Sequence, residues 1–302
     1  MRKSTCRDAL MPISPRQEFR ALVFAVHPFP APAGAEVVGL KVDQIGAAEY
    51  AEIRQAFLAH GFLVFRDQQL TPESHAAFSA KFGPLKGHIL RQYLLPGSDF
   101  VLVLSNKKVD GAPVGLEDAG RYWHSDVSYE DIPPLGSMLY AIEIPPEGGD
   151  TLFANQYAAY AALPQKLKHR IAGLRARHVF NYSKLAAAAD STRQKLSPDQ
   201  ERQLTGAVHP VVRTHPETGR PALYVNPGFT VSIEGLSEDE SRSLLAELWS
   251  YATAPEVVAR HVWQPHDLVL WDNRCLMHHA TTYPPQYIRH MHRTTIAGTR
   301  PY

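Results

Sequence analysis

DLVLWDN at 267–273 and RTTIAG at 293–298 are short runs rich in Leu, Val, Thr, Ile or Trp and closed by Asn or Gly. Such runs read as strands, and FVLVLSN at 100–106, MLYAIEI at 138–144 and ALYVN at 222–226 have the same character. Pro, Gly, Asn and Asp punctuate the intervals between them, where a parallel βαβ sheet would show regularly alternating helices. The pattern predicts an antiparallel sandwich or barrel decorated with helices. Ile53, Phe57 and Leu58 fall at helical spacing between Ala47 and His60, Gly61 stops that helix, and FLVF at 62–65 follows as a short buried strand. Thr71 before Pro72 starts a second helix, leading through His75, Phe78 and Phe82 to Gly83. Ser237 with Glu240 makes a capping box for a helix to about Tyr251, and Ser197 with Gln200 makes a weaker one.

At 302 residues and 44% apolar content, the chain can bury a full core. It has no internal repeat and no low-complexity linker longer than PFPAPAGAE at 28–36. A single domain over residues 16–302 behind a loose tail at 1–15 is therefore expected. The 31 basic and 30 acidic residues leave a formal charge of +1 with no run of one sign, which argues against nucleic acid or an anionic membrane as partner. The first residues lack the apolar core of a signal peptide, and no later stretch reaches the length of a membrane span. Cys6 and Cys275 do not make a disulfide framework. The reading is a cytoplasmic enzyme, with Cys275 an inert buried thiol.

The chemistry is concentrated in WHSD at 123–126. If this segment is extended, His124 and Asp126 project from one face while Ser125 points away. An imidazole and a carboxylate so placed are two legs of a metal site, and WDNRCLMHH at 271–279 offers His278 or His279 as the third. Two His and one carboxylate on one side of an iron leave positions open for a cosubstrate and O2, which is why non-haem oxygenases use this set. A bare H-x-D is common, so its company matters. Thr151 ends PPEGGDT, and Arg289 and Arg293 lie in RHMHRTTIAG. On a strand their spacing of four puts both guanidiniums on one face, roughly 13 Å apart. Without acidic neighbours two inward arginines each need an anion. His290 and His292 alternate with them and should face the other way, while Trp123 and Trp271 read as core.

FGPLKGH, WHSDVSYEDIPP, PPEGGDTLFAN, VHPVVRTHPETGRPALYVNPGFT, WDNRCLMHHA and HRTTIAG occur in that order. From about Gly34 onward the chain resembles the taurine dioxygenase and 2,4-dichlorophenoxyacetate dioxygenase family. The resemblance implies a double-stranded β-helix, or jelly roll, with flanking helices. It implies Fe(II) held by His124, Asp126 and His278, the spacing N-R-x-x-x-H selecting His278 over His279. Thr151 and Arg289 would hold the 2-oxoglutarate carboxylate and Arg293 the substrate anion. His88, Val127, Tyr129 and Phe229 match positions that wall the substrate pocket. Oxidative decarboxylation of 2-oxoglutarate to succinate and CO2 would accompany hydroxylation of a small anionic substrate by O2. Asp126 argues against a halogenase, since related halogenases vacate that position. A homo-oligomer is expected.

Arg91 and Lys184 stand where the taurine enzymes carry aromatic residues, so a more cationic pocket is expected and taurine itself is in doubt. A taurine-like sulfonate or sulfate ester is the leading substrate class, and a small carboxylate such as an aryloxyalkanoate or an amino-acid derivative the alternative. A zinc hydrolase on the same three ligands and a non-catalytic jelly-roll binding protein are the other readings. Asn273 and Arg274 belong to the family motif, but no chemistry can be assigned to them from sequence.

Overall fold

The computed structural model describes residues 24–117, 119–180 and 196–302. The expected tail at 1–15, Cys6 and Lys184 lie outside the described residues.

The largest sheet has seven strands, in the order Ala25–Pro28, Ala35–Val38, Phe62–Phe65, Leu268–Asp272, Gly136–Glu143, His290–Ile296 and Leu102–Ser105. Every neighbouring pair is antiparallel except Ala35–Val38 with Phe62–Phe65. A smaller antiparallel sheet places Thr151–Asn155 between Val258–His261 and Leu276–Ala280. The strand alternation decides which side chains meet between the sheets. Phe62, Val64, Val269 and Trp271 join Phe153 and Leu276 in one apolar cluster, and the Phe62 ring stacks on Phe153 with centroids 4.3 Å apart.

The intervening residues Leu63, Phe65, Leu268 and Leu270 face the opposite way, into a second cluster with Ile53 and Phe57 of helix Ala47–His60 and Phe78 of helix Pro72–Ala80. Behind the small sheet, Ala154 and Met277 pack on Ala159, Leu167 and Leu244 from helices Gln156–Ala162, Gln165–Ile171 and Glu238–Ala252. The layering is helix, large sheet, small sheet, helix: mainly β with flanking helices, as the punctuation pattern predicts.

The signalled caps are present. Thr71, Ser197 and Ser237 each accept from the backbone three residues on. ALYVN is a strand only over Pro221–Leu223; Tyr224 N–H still reaches Val211 O at 2.7 Å, and the chain then runs through Asn226 into the turn at 227–229. Among the described residues no helix is long and apolar enough to cross a membrane.

Candidate active site

The donor cluster lies along the edge strand Leu276–Ala280 of the small sheet. His124 and His278 oppose each other across a single bridge, His124 N–H donating to His278 O at 3.1 Å and His278 N–H to His124 O at 2.8 Å. The two rings lie 4.1 Å apart between centroids. The expectation of an extended H-x-D segment needs correction, because His124 alone is in the ladder and residues 126–129 form a turn. That turn brings Asp126 back over the rings. Its Oδ1 is 3.7 Å from His124 Nε2 and 3.8 Å from His278 Nε2. One ligand atom from each of the three buried residues lies within 4.8 Å of the others.

The protonation pattern suits a cation. His124 Nδ1 lies 2.8 Å from the Tyr122 carbonyl, which can only accept, so Nδ1 carries the proton and Nε2 keeps its lone pair for the centre. Burial opposes a charge on Asp126, but the Arg293 guanidinium beside it outweighs burial and holds the carboxyl well below the usual range. Burial depresses His278 well below its ordinary value, leaving a neutral imidazole ready to ligate. His279 is only half-buried, its ring 5.5 Å from Trp123 and outside the cluster.

Arg289 lies just before strand His290–Ile296, and a register shift interrupts the pairing between His290 and Met291. The simple count that puts Arg289 and Arg293 on one strand face therefore does not describe the backbone. Arg289 is 8% exposed and has no carboxylate within ion-pair distance among the described residues; its Nε donates to Gly149 O at 3.2 Å. Burial pulls this guanidinium down to about 10. Gly148 and Gly149 both have φ +70, and a Cβ on Gly149 would lie 3.0 Å from Pro145 and 3.3 Å from Arg289 Cδ. The GGD turn thus makes room for the arginine before entering strand Thr151–Asn155. Thr151 is buried, and its hydroxyl accepts from Trp263 Nε1 at 3.0 Å.

Arg293 corrects a second expectation, since it does have an acidic neighbour: NH1 donates to Asp126 Oδ1 at 3.0 Å. Its Nε is buried without a partner among the described residues. His88, Val127, Tyr129, Phe229 and Arg293 line one small cavity with His124 and Asp126. Tyr129 stacks on Phe180 at 4.7 Å, and Phe229 stands edge-on to His124 at 5.7 Å. Val127 holds φ +50, strained for a β-branched residue. A larger cleft of ≈ 910 Å³ opens outside, sharing His88 and Tyr129 with the inner cavity and lined also by Arg91 and Phe100. It contains none of the donor cluster, so chemistry is assigned to the small cavity.

The family model described as "Taurine catabolism dioxygenase TauD, TfdA family" matches residues 25–295. The chain belongs to the TauD/TfdA family. It is 37% identical to the α-ketoglutarate-dependent 2,4-dichlorophenoxyacetate dioxygenase of Cupriavidus pinatubonensis, over 89% of this chain and 95% of that protein. It is 32% identical to the α-ketoglutarate-dependent sulfate ester dioxygenase of Pseudomonas putida, over 93% and 92%. A taurine dioxygenase structure from Burkholderia xenovorans superposes with a TM-score of 0.77 at 35% identity, covering 93% of this chain and 91% of that one. The structure of AAD-2 with Mn(II) and N-oxalylglycine gives 0.78 at 32% identity, covering 93% and 98%. The chain is an α-ketoglutarate-dependent dioxygenase of this family, with Fe(II) and 2-oxoglutarate as its cofactor set.

Several TauD/TfdA motif residues that sequence reasoning left without a role prove to be scaffolding. Asp272 accepts from Arg274 Nε at 2.8 Å and NH2 at 2.7 Å, and lies 3.1 Å from His215 Nε2. Arg274 also meets Glu217, which in turn pairs with Arg54. Asp272, His215 and Cys275 cluster tightly enough to resemble a second metal site, but the carboxylate is already committed to a guanidinium. Cys275 is buried and free, its thiol pushed well up by burial. The run W-D-N-R was the available signal; its partners, 57 residues away in sequence for His215 and Glu217, were not.

Proposed function

We propose that this family member hydroxylates a small organic anion at iron held by His124, Asp126 and His278, in a double-stranded β-helix. One observation carries the reading: Asp126 Oδ1 stands within 3.8 Å of Nε2 on both imidazoles, in a buried cluster. Bound Fe(II) and 2-oxoglutarate supply the O2 chemistry, giving succinate, CO2 and a hydroxylated substrate. The chain's own residues do the rest. Arg289 and Thr151 would receive the far carboxylate of 2-oxoglutarate, because Arg289 is a buried cation with no carboxylate at ion-pair distance among the described residues. Arg293 would present its unpartnered Nε to the substrate anion while NH1 stays on Asp126. His88 would approach the same anion, and Val127, Tyr129 and Phe229 would exclude water.

The relatives act, by name, on aryloxyalkanoates and sulfate esters. Both are anions with an apolar body. The aromatic walls of Tyr122, Tyr129, Phe180 and Phe229 suit the apolar body of such a substrate, and the Arg293 guanidinium in the same cavity favours its anionic end over the free ammonium of taurine. These relatives also support oxygenation over a zinc hydrolase or a binding protein. The test is succinate formation with Fe(II) and 2-oxoglutarate, stimulated by sulfonates, sulfate esters, phenoxy acids and amino-acid derivatives in parallel. Stimulation by an aryl or alkyl anion is expected. Stimulation by neutral analogues alone would overturn the anion assignment, and stimulation by taurine above the others would overturn the apolar-body assignment.

A further inference from the structure

Ser137, Trp271 and Asn273 are all at most 2% exposed and stand outside the donor triad. They form a hydrogen-bond chain whose polarity has one solution. The Trp271 indole N–H can only donate, and it reaches Asn273 Oδ1 at 2.9 Å; the backbone N–H of Asp126 donates to the same oxygen at 3.4 Å. Two obligate donors on one atom fix it as the carbonyl oxygen. The amide nitrogen then faces Ser137 Oγ and Asp126 Oδ2, each at 3.4 Å. Ser137 Oγ lies 2.7 Å from Asp126 Oδ2 and donates to that carboxylate. Both donors of the chain therefore converge on Oδ2, while Oδ1 is the oxygen that faces the two imidazoles.

We propose that the Trp271–Asn273–Ser137 relay makes Asp126 a one-oxygen metal ligand, with Ser137 the positioning residue that ties down Oδ2. The inference rests on the triad reading above. Chelation through both carboxylate oxygens would take a position that the open face of a two-His, one-carboxylate site needs for cosubstrate and O2. Arg293 NH1 does not compete with this arrangement, because a carboxylate oxygen has two lone-pair directions and can serve a metal and a guanidinium together. The relay gives Trp271 a hydrogen-bonding role beside its packing, and it gives Asn273 a role where the motif alone offered none.

The experiment titrates metal-free enzyme with Co(II), without cosubstrate, for wild type, Ser137→Ala and Ser137→Cys, recording affinity, visible absorption and thermal midpoint. Loss of an outer hydrogen bond to a ligand typically costs 10- to 100-fold in metal affinity. Ser137→Ala should bind Co(II) about tenfold or more weakly and change the ligand-field bands, with Ser137→Cys in between because a thiol is a weaker donor. Wild-type affinity and spectrum in Ser137→Ala would overturn the relay. The infrared difference spectrum of Co(II)-loaded wild type with isotope-labelled aspartate gives a reading independent of any variant's folding. A wide separation of the carboxylate stretches is expected for one-oxygen binding, and a narrow one would overturn the proposal. Wild type that binds no Co(II), or that keeps full affinity after His278→Ala, sinks the triad reading and the relay with it.

Discussion

Arg289 is a buried guanidinium whose Nε meets only a backbone carbonyl, with no carboxylate at ion-pair distance among the described residues. A cation in that condition is costly unless an anion arrives, and 2-oxoglutarate brings one. Lysine offers a point charge in place of a planar fork. Arg289→Lys should raise the KM for 2-oxoglutarate roughly tenfold to a hundredfold, the equivalent of about 1.5–3 kcal/mol of charge-assisted hydrogen bonding. The KM for the primary substrate should change far less. Steady-state kinetics in each substrate checks this, and an unchanged cosubstrate KM would show that Arg289 does not hold the carboxylate. The residue types were legible in sequence because H-x-D, a third histidine and paired arginines are chemically uncommon company. Their partners were not. Arg293 contacts Asp126 across 167 residues, and Ser137 reaches it only because its strand faces the donor turn.

At the scale of elements, caps and strand cores could be read because their signals are local. Thr71, Ser197 and Ser237 sit where their side chains can serve the backbone three residues on, and FLVF at 62–65 sorts its faces by simple alternation. Turns and bulges could not be read, and the site is built on them. The turn beginning at Asp126, the positive φ of Val127 and the register shift after His290 each break the period-two count used to place side chains. The GGD turn is the clearest instance. Gly149 combines φ +70 with contacts so close, 3.0 Å to Pro145 Cγ and 3.3 Å to Arg289 Cδ, that a Cβ would push a neighbour aside by a few tenths of an ångström. A left-handed conformation costs an ordinary residue about 1–2 kcal/mol. Gly149→Ala should therefore lower stability by about that much and also raise the KM for 2-oxoglutarate, since Arg289 must shift. Urea unfolding paired with cosubstrate kinetics tests it; a stability loss with unchanged KM would separate the turn from the arginine's seat.

The whole molecule carries an unusual load of buried imidazoles away from the metal cluster. Burial depresses His75 and His178 to about 3, and His209 and His292 to about 4. His75 sits under the large sheet, with Nε2 3.3 Å from Thr294 Oγ1 and Nδ1 unpartnered among the described residues. His178 and His209 clamp the donor turn from behind, through Ser128 Oγ at 3.0 Å and through the carbonyls of Ser128 and Glu130, both at 3.0 Å. Each is neutral in the fold and regains an ordinary value near 6.5 when unfolded. The sign follows from linkage. The stability these groups confer is complete above about pH 6.5 and is lost as pH falls towards their folded values, because the unfolded chain binds the extra protons. Within that window each group removes about 1.4 kcal/mol per pH unit. Carboxylates ionise near 4 in an unfolded chain, so the interval from pH 6 to 5 reports mainly on imidazoles. Urea midpoints of the metal-free enzyme should fall steeply between pH 6 and 5, and His75→Phe should flatten that fall by one group's share. A pH-independent midpoint across the interval, or a slope unchanged in His75→Phe, would mean that these histidines are protonated inside the fold.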